Sequence, residues 1–156
     1  MDLFDTKTRV AKALVEAIFR RARYDIRPFR GEAPPLRVGR EDLSPDFAVT
    51  RGDDAGDFLL EVRYRTSVDQ FVTMEMQRGE RSTVAMARRQ WPALRFVLVT
   101  DRPEPGRSCF QTLADDHGDG IRTVDLASVS QLAIFDHNIA DHEQLLRRIF
   151  ALLSEA

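Results

Sequence analysis

The chain has too few cysteines for a disulfide-rich protein and no long apolar run of the kind that membrane proteins have. Its 156 residues include one cysteine, Cys109, so no disulfide can form within the chain, and a lone thiol suits a reducing compartment. No apolar run approaches membrane-spanning length, and the first residues, MDLFDTKTRV, lack the basic-then-apolar pattern of a signal peptide. We therefore expect a soluble, cytoplasmic protein without a membrane partner.

Glycine and histidine are also scarce. The eight glycines include none at the spacing of a Walker or Rossmann phosphate-binding loop. The three histidines, His117, His137 and His142, follow no usual zinc-site spacing, and one cysteine gives no thiolate cluster. The sequence therefore argues against these nucleotide-binding folds and against a histidine or cysteine metal site.

Charge is nearly balanced overall but unevenly placed. The net charge of −2 gives no global attraction for nucleic acid. Residues 6–23 carry six basic side chains against one acid, Glu16, whereas residues 41–61 carry seven acids against one base, Arg51. A basic segment beside an acidic cluster suits phosphate binding near a metal ion. A solvated surface of mixed sign is the alternative interpretation.

Composition and hydrophobic patterning predict one globular α/β domain over residues 1–156. Hydrophobic residues make up 43% and charged residues 31% of the chain. Apolar spacing predicts the following elements: helix 5–23, strands 24–29, 46–51 and 57–65, helix 80–90, strand 96–99, a short helix at 108–115, strand 121–126, and a final helix from Asp141 to about Glu155.

The connections between these elements indicate the sheet. The loop Gly52–Gly56 suggests that the second and third strands form a hairpin, and Gly31–Gly39 is expected to be a loop. Residues 68–78 fit either a strand or a helix. A hairpin followed by a β-α-β step implies a mixed central sheet with helices on both faces.

Three acids stand where a metal site can form. Glu16 lies on the first helix, Asp46 begins the second strand, and Glu61 lies midway along the third. Glu61 and Arg63 share one face of their strand because side chains alternate. Two close carboxylates repel each other unless a cation lies between them, and Mg²⁺ favours a few carboxylates together with water and phosphate oxygens. Such a site can activate water, and a nearby cationic side chain can stabilise charge on a phosphate.

Pro45-Asp46 and Glu61-Val62-Arg63, together with the order of elements over about residues 5–101, resemble the PD-(D/E)XK nuclease superfamily. The resemblance implies a single restriction-endonuclease-like domain with an α-β-β-β-α-β core. It implies Mg²⁺ or Mn²⁺ held by Asp46, Glu61 and the carbonyl of Val62. It also implies catalytic roles for Asp46, Glu61, Arg63 and Glu16 in the cleavage of phosphodiester bonds in nucleic acid, with DNA the expected substrate.

Arg63 departs from the family pattern, which usually has lysine at this position. Arginine stays charged, so it can stabilise a phosphate but not readily exchange a proton. Of the 23 lysines and arginines only Lys7 and Lys12 are lysines, a bias that makes a change from lysine to arginine easy. Either arginine suffices here or the constraint for catalysis has relaxed. In the second case the chain is a catalytically inactive nuclease-fold module that binds nucleic acid or a protein partner.

A third possibility is an α/β assembly protein without a nucleic-acid role. The final helix has a broad apolar face that suits a homodimer or a larger protein partner, formed by Leu145, Leu146, Ile149, Phe150, Leu152 and Leu153. The candidate site residues also have ordinary explanations. Glu16 fits a salt-bridged helix face, Glu61 and Arg63 fit an ion pair on one strand, and Asp46 fits a turn after proline.

Overall fold

A computed structural model of the chain describes residues 2–31, 35–38, 41–51, 57–114 and 120–155. The predicted loop at Gly52–Gly56 and the histidine at His117 lie outside the described residues. Within the described ranges, no helix combines the length and the apolar character that crossing a membrane requires.

The described part of the chain contains four α-helices, and side-chain caps explain where three of them begin. The carboxylate of Asp2 accepts a hydrogen bond from the Asp5 amide, and Ser67 and Ser82 cap the second and third helices in the same way. The helices are α1 (Leu3–Arg21), α2 (Val68–Arg78), α3 (Thr83–Gln90) and α4 (Asp136–Glu155).

The strands form a mixed six-stranded sheet in the described residues, with a separate two-stranded hairpin beside it. They are β1 (Asp25–Pro28), β2 (Leu36–Val38), β3 (Glu41–Leu43), β4 (Phe47–Thr50), β5 (Phe58–Tyr64), β6 (Leu94–Val99), β7 (Phe110–Leu113) and β8 (Thr123–Asp125). The sheet order is β1-β4-β5-β6-β7-β8, and β2 pairs with β3. Only the β5–β6 pair is parallel among the described strand pairs.

The central pairing agrees with the sequence prediction. Strands β4 and β5 are adjacent and antiparallel, with Phe47 opposite Leu60, and β6 lies on the other side of β5 in the same sheet. The pair β5–β6 is parallel because helices α2 and α3 carry the chain back between the two strands.

Helices cover both faces of the sheet. On one face, α1 and α4 pack against the inward side chains of β5, among them Leu60, Val62 and Tyr64. On the other face, α2 and α3 pack with Phe96 and Leu98 of β6. Within β6, residues 96–99 form an uninterrupted apolar run because alternate residues are buried on opposite faces of the sheet.

Two segments differ from the sequence prediction, and a third settles an open alternative. The expected helix at 108–115 is wrong over its described residues, 108–114: Phe110–Leu113 is a buried strand that pairs with β6, so its apolar residues face core on both sides. The expected loop 31–39 contains β2, which is too short to show an alternating pattern. Residues 68–78, which left two alternatives open, form helix α2.

The final helix begins earlier than the expected start at Asp141. Helix α4 starts at Asp136, and the buried side chain of Asn138 accepts a hydrogen bond from the Phe135 amide at 2.9 Å. This bond reaches back to an amide that the helix itself leaves unpaired, as the third residue of a capping box does. The earlier start is therefore stabilised by an asparagine near the helix end that sequence reading passed over.

Candidate functional site

Asp46 sits where the pairing of β4 with β5 ends. Its backbone amide donates to the Leu60 carbonyl at 2.7 Å, and its carbonyl accepts from the Phe29 amide at 3.0 Å. Its side chain continues the contact with β5, since Oδ2 accepts a hydrogen bond from the Val62 amide at 2.7 Å. The carboxylate thus takes the place that a strand carbonyl would fill, and the residue as a whole is held by three hydrogen bonds.

The Val62 carbonyl lies on the same edge of β5 as Asp46. The amides of Leu59 and Arg65 donate to carbonyls at Ala93 and Val99 beside β6, so every second residue of β5 bonds in that direction. Val62 falls between them, and its N–H and C=O therefore face the β4 side. Because β4 pairs only as far as Phe47 opposite Leu60, this carbonyl opens toward Asp46 rather than into a continuous ladder.

Lys12 is the site residue that sequence reasoning missed. Its Nζ lies 2.6 Å from Asp46 Oδ1, with 38% of the lysine side chain exposed against 12% for the aspartate. On the sequence alone, Lys12 fits an ordinary ion pair with Glu16 at the i, i+4 spacing of a helix surface. Its position one turn before Glu16, and the rarity of lysine in this chain, were the available signals. They do not reveal a partner 34 residues away.

Glu61 is buried in a way that disfavours its charge. Only 5% of the residue is exposed. Its Oε1 lies 3.0 Å from Nε of Arg63, whereas Oε2 has no hydrogen-bond partner among the described residues. Burial first, and the charge of Asp46 second, raise the pKa of Glu61 to about 8, although Arg63 and Lys12 oppose the shift.

These groups meet at a pocket of about 500 Å³. Sheet residues Asp46, Glu61, Val62 and Arg63 form one side of it. The remaining lining comes from α1, from the segments flanking the β2–β3 hairpin and from the end of β5, through Phe4, Thr8, Lys12, Pro35, Ser44, Tyr64 and Arg65. The pocket therefore places two carboxylates among three basic side chains.

Glu16 is not among the residues that line the pocket. Phe4, Thr8 and Lys12 follow a stripe along α1 at four-residue steps, and Glu16 continues that stripe one turn further. There its Oε2 lies 3.8 Å from Arg20, with about a third of the side chain exposed. The structure thus brings Asp46, Glu61, Val62 and Arg63 together and leaves Glu16 beyond the pocket.

The donor set fits a hard divalent cation that keeps several waters. No group of three or more acidic, histidine or cysteine side chains converges within the described residues. Mg²⁺ needs no such cage, because one or two carboxylates with water and phosphate oxygens suffice. The observation that favours a cation is the buried Glu61 Oε2, which lacks a partner beside a second carboxylate. Asp46, Glu61 and the Val62 carbonyl are the residues that would hold the ion.

Comparisons of the chain with protein-family models, with curated proteins and with solved structures found no match.

Proposed function

We propose that the protein cleaves phosphodiester bonds in nucleic acid, with DNA as the expected substrate, using Mg²⁺ or Mn²⁺ held at Asp46 and Glu61. One observation carries the proposal: a buried carboxylate with an unpartnered oxygen lines a pocket beside a second carboxylate. Leaving such a group unpaired is costly, and a cation would remove that cost.

The order of elements supports the same proposal. Helix α1 is followed by β1, β4 and β5 as neighbours in one sheet, then by helices and by β6 parallel to β5. This order resembles the α-β-β-β-α-β core of PD-(D/E)XK nucleases, with the β2–β3 hairpin inserted before β4. By this resemblance, Asp46, one residue before β4, and Glu61, within β5, would correspond to the acids of the family motif.

Three side chains of the pocket, those of Asp46, Glu61 and Arg63, have roles in the proposed reaction. A divalent cation bound there would activate a water molecule and neutralise charge on the phosphate. Asp46 is oriented for binding by the Val62 amide, and Glu61 by Arg63. The guanidinium of Arg63 would stabilise negative charge on the phosphate.

The charges around the pocket favour a phosphate-bearing substrate. Lys12, Arg63 and Arg65 all line it, and cationic donors form strong hydrogen bonds to phosphate oxygens. A nucleic-acid backbone presents such oxygens in a row. Base recognition would come from other surfaces, since the pocket's cations contact phosphate, which carries no sequence information.

Calorimetry with Mn²⁺ tests the metal site directly. We expect wild-type binding that is lost in Asp46→Asn and in Glu61→Gln, each of which removes a charge while keeping the side-chain shape. Glu16→Gln is the matched control, because Glu16 is an acid on the neighbouring helix outside the pocket. Identical isotherms for the wild type and the two site variants would rule out the metal site.

Nicking of plasmid DNA in Mn²⁺ tests the reaction, with Glu61→Ala as the background. Wild-type activity above that background supports the enzyme. Metal binding without cleavage of several DNA and RNA substrates favours the second candidate, a catalytically inactive module that binds nucleic acid or a protein partner. One observation favours that candidate: each acid already has a basic partner, Lys12 for Asp46 and Arg63 for Glu61.

A further inference from the structure

We propose that Lys12 is a displaceable counter-ion: its ammonium neutralises Asp46 in the metal-free protein, and a divalent cation displaces it into the pocket, where it binds a phosphate oxygen of the substrate. This inference rests on the proposed function, because it concerns the same site. It assigns to the first helix a positioning residue that the family resemblance does not supply.

The contacts of Asp46 identify which partner must leave. Its Oδ2 accepts from the Val62 amide, a bond to the backbone of the central strand, and its Oδ1 contacts Lys12. Both carboxylate oxygens of Asp46 therefore already have a hydrogen-bonding or ionic partner when a cation approaches from the pocket. The Val62 amide is fixed by the sheet, whereas Lys12 has a flexible four-carbon side chain that is partly exposed. Lys12 is therefore the partner that a cation can replace.

The displaced ammonium already lies beside space for a phosphate. Lys12 lines the pocket together with Thr8 on its own helix and Arg65 at the end of β5. Loss of its contact with Asp46 leaves a positive charge facing a cavity of about 500 Å³. A phosphate oxygen is the natural partner for that charge, since the proposed substrate presents several of them. Metal binding and substrate binding are thus coupled through one side chain.

The residue type agrees with this role. Arginine supplies 21 of the 23 lysines and arginines, yet this position is lysine. An arginine would hold the Asp46 carboxylate through a planar fork with two parallel hydrogen bonds, which resists displacement. An ammonium is a compact point charge that re-forms its bonds with any nearby oxygen. Lysine suits a group that exchanges partners.

The scarcity of lysine makes a direct experiment possible on the unmodified protein. Lysine labelled with ¹³C at Cε gives two side-chain signals, from Lys7 and Lys12. Lys7 lies over the rings of Tyr64 and Phe150, so it serves as an internal control on the same helix. Titration with Mg²⁺ alone should shift the Lys12 signal and leave that of Lys7 in place, and Glu61→Gln should abolish the response.

Calorimetry with Mn²⁺ on lysine variants gives a second readout. Lys12→Met should bind Mn²⁺ about two- to fivefold more tightly, the size expected when a partly exposed competing ion pair is removed. Lys12→Arg should bind Mn²⁺ more weakly than wild type does, and Lys7→Met should bind it as tightly as wild type does. Lys12→Met should also bind a fluorescent DNA oligonucleotide more weakly in Ca²⁺, although it binds the metal better.

The outcomes separate the two proposals. If Mn²⁺ binds in a manner that needs Glu61, but the Lys12 signal does not move and Lys12→Met binds no more tightly, the displacement is overturned and the metal site stands. If neither the wild type nor Lys12→Met binds Mn²⁺, both proposals fail. If Lys12→Met binds Mn²⁺ tightly and wild type shows no detectable binding, Lys12 competes strongly with the cation for Asp46, which supports the displacement.

Discussion

The surroundings of the Glu61 side chain act on its charge in opposite directions. It lies on the central strand with Arg63 near one oxygen and the pocket near the other. Burial and the charge of Asp46 raise its pKa to about 8, so in the metal-free protein it holds a proton that an exposed glutamate has lost. The folded protein therefore binds more protons than the unfolded chain between these two pKa values, which ties stability to pH.

The sign of that dependence is a prediction. A raised pKa contributes stability that is present below about pH 4.5 and is lost as pH rises through about 8. Without divalent cations, the free energy of unfolding of wild type should fall between about pH 5 and pH 8 relative to Glu61→Gln, which cannot ionise. Urea titrations of both proteins in a chelator measure the difference. Parallel pH profiles would contradict the prediction.

Arg63 is the residue at which the enzyme and the inactive module diverge. Its Nε lies 3.0 Å from Glu61 and its side chain is largely buried, so it can hold charge in place but not donate a proton readily. We expect wild-type cleavage to be slow and Arg63→Lys to be faster. A general acid–base contribution is typically worth about 10²–10⁴-fold, so partial recovery is measurable.

Plasmid nicking in Mn²⁺ measures the effect of Arg63→Lys. Arg65→Lys is the matched control, since it makes the same change in the same pocket one position beyond the end of β5. If wild type and Arg63→Lys both cleave no faster than the Glu61→Ala background, the enzyme hypothesis is rejected in favour of the binding module. A third outcome is that Arg63→Lys only destabilises the protein by weakening the ion pair with Glu61, and thermal unfolding of the variant detects it.

At the scale of elements, the fold buries only part of the apolar face that the sequence pattern predicts for helix α4. Leu146 and Phe150 are buried, and Ile149 and Leu153 pack against the core. Leu152, in contrast, is 69% exposed. The broad apolar face predicted from the sequence is therefore divided between a side that the fold covers and a side that it leaves open.

Paired substitutions on α4 test this division. Phe150 is 1% exposed and contacts Tyr64 edge to face, so Phe150→Glu should cost about 3–5 kcal/mol or more of unfolding free energy. Leu152→Glu should stay within about 0.5 kcal/mol of wild type because the residue is exposed. Chemical denaturation of both variants decides the point, and equal losses would contradict the assignment of the two sides.

The predictability of each element follows from the range of the forces that form it. The hairpin of β4 and β5 and the helix α1 were readable because their alternation or helical spacing is local. Strand β7 was predicted as a helix because it is buried on both faces, and a short apolar run looks alike in either state. The start of α4 depends on one bond from Phe135 to Asn138, which is invisible to periodicity.

At the scale of the whole molecule, the site joins parts of the chain that only the fold brings together. The sequence indicated Asp46, Glu61 and Arg63 because the spacing of their strands could be read. It did not indicate Lys12 as their partner, nor the position of Glu16 beyond the pocket. Both depend on how α1 lies across β5, a matter of packing between distant segments that no local pattern encodes.

The matching of each acid with its own base has an evolutionary consequence. Lys12 with Asp46 and Arg63 with Glu61 let the domain fold with no ion bound, so its survival in a cell does not require the chemistry. If the proposed reaction takes place, a lineage could therefore lose it and keep the scaffold, or regain it through few substitutions.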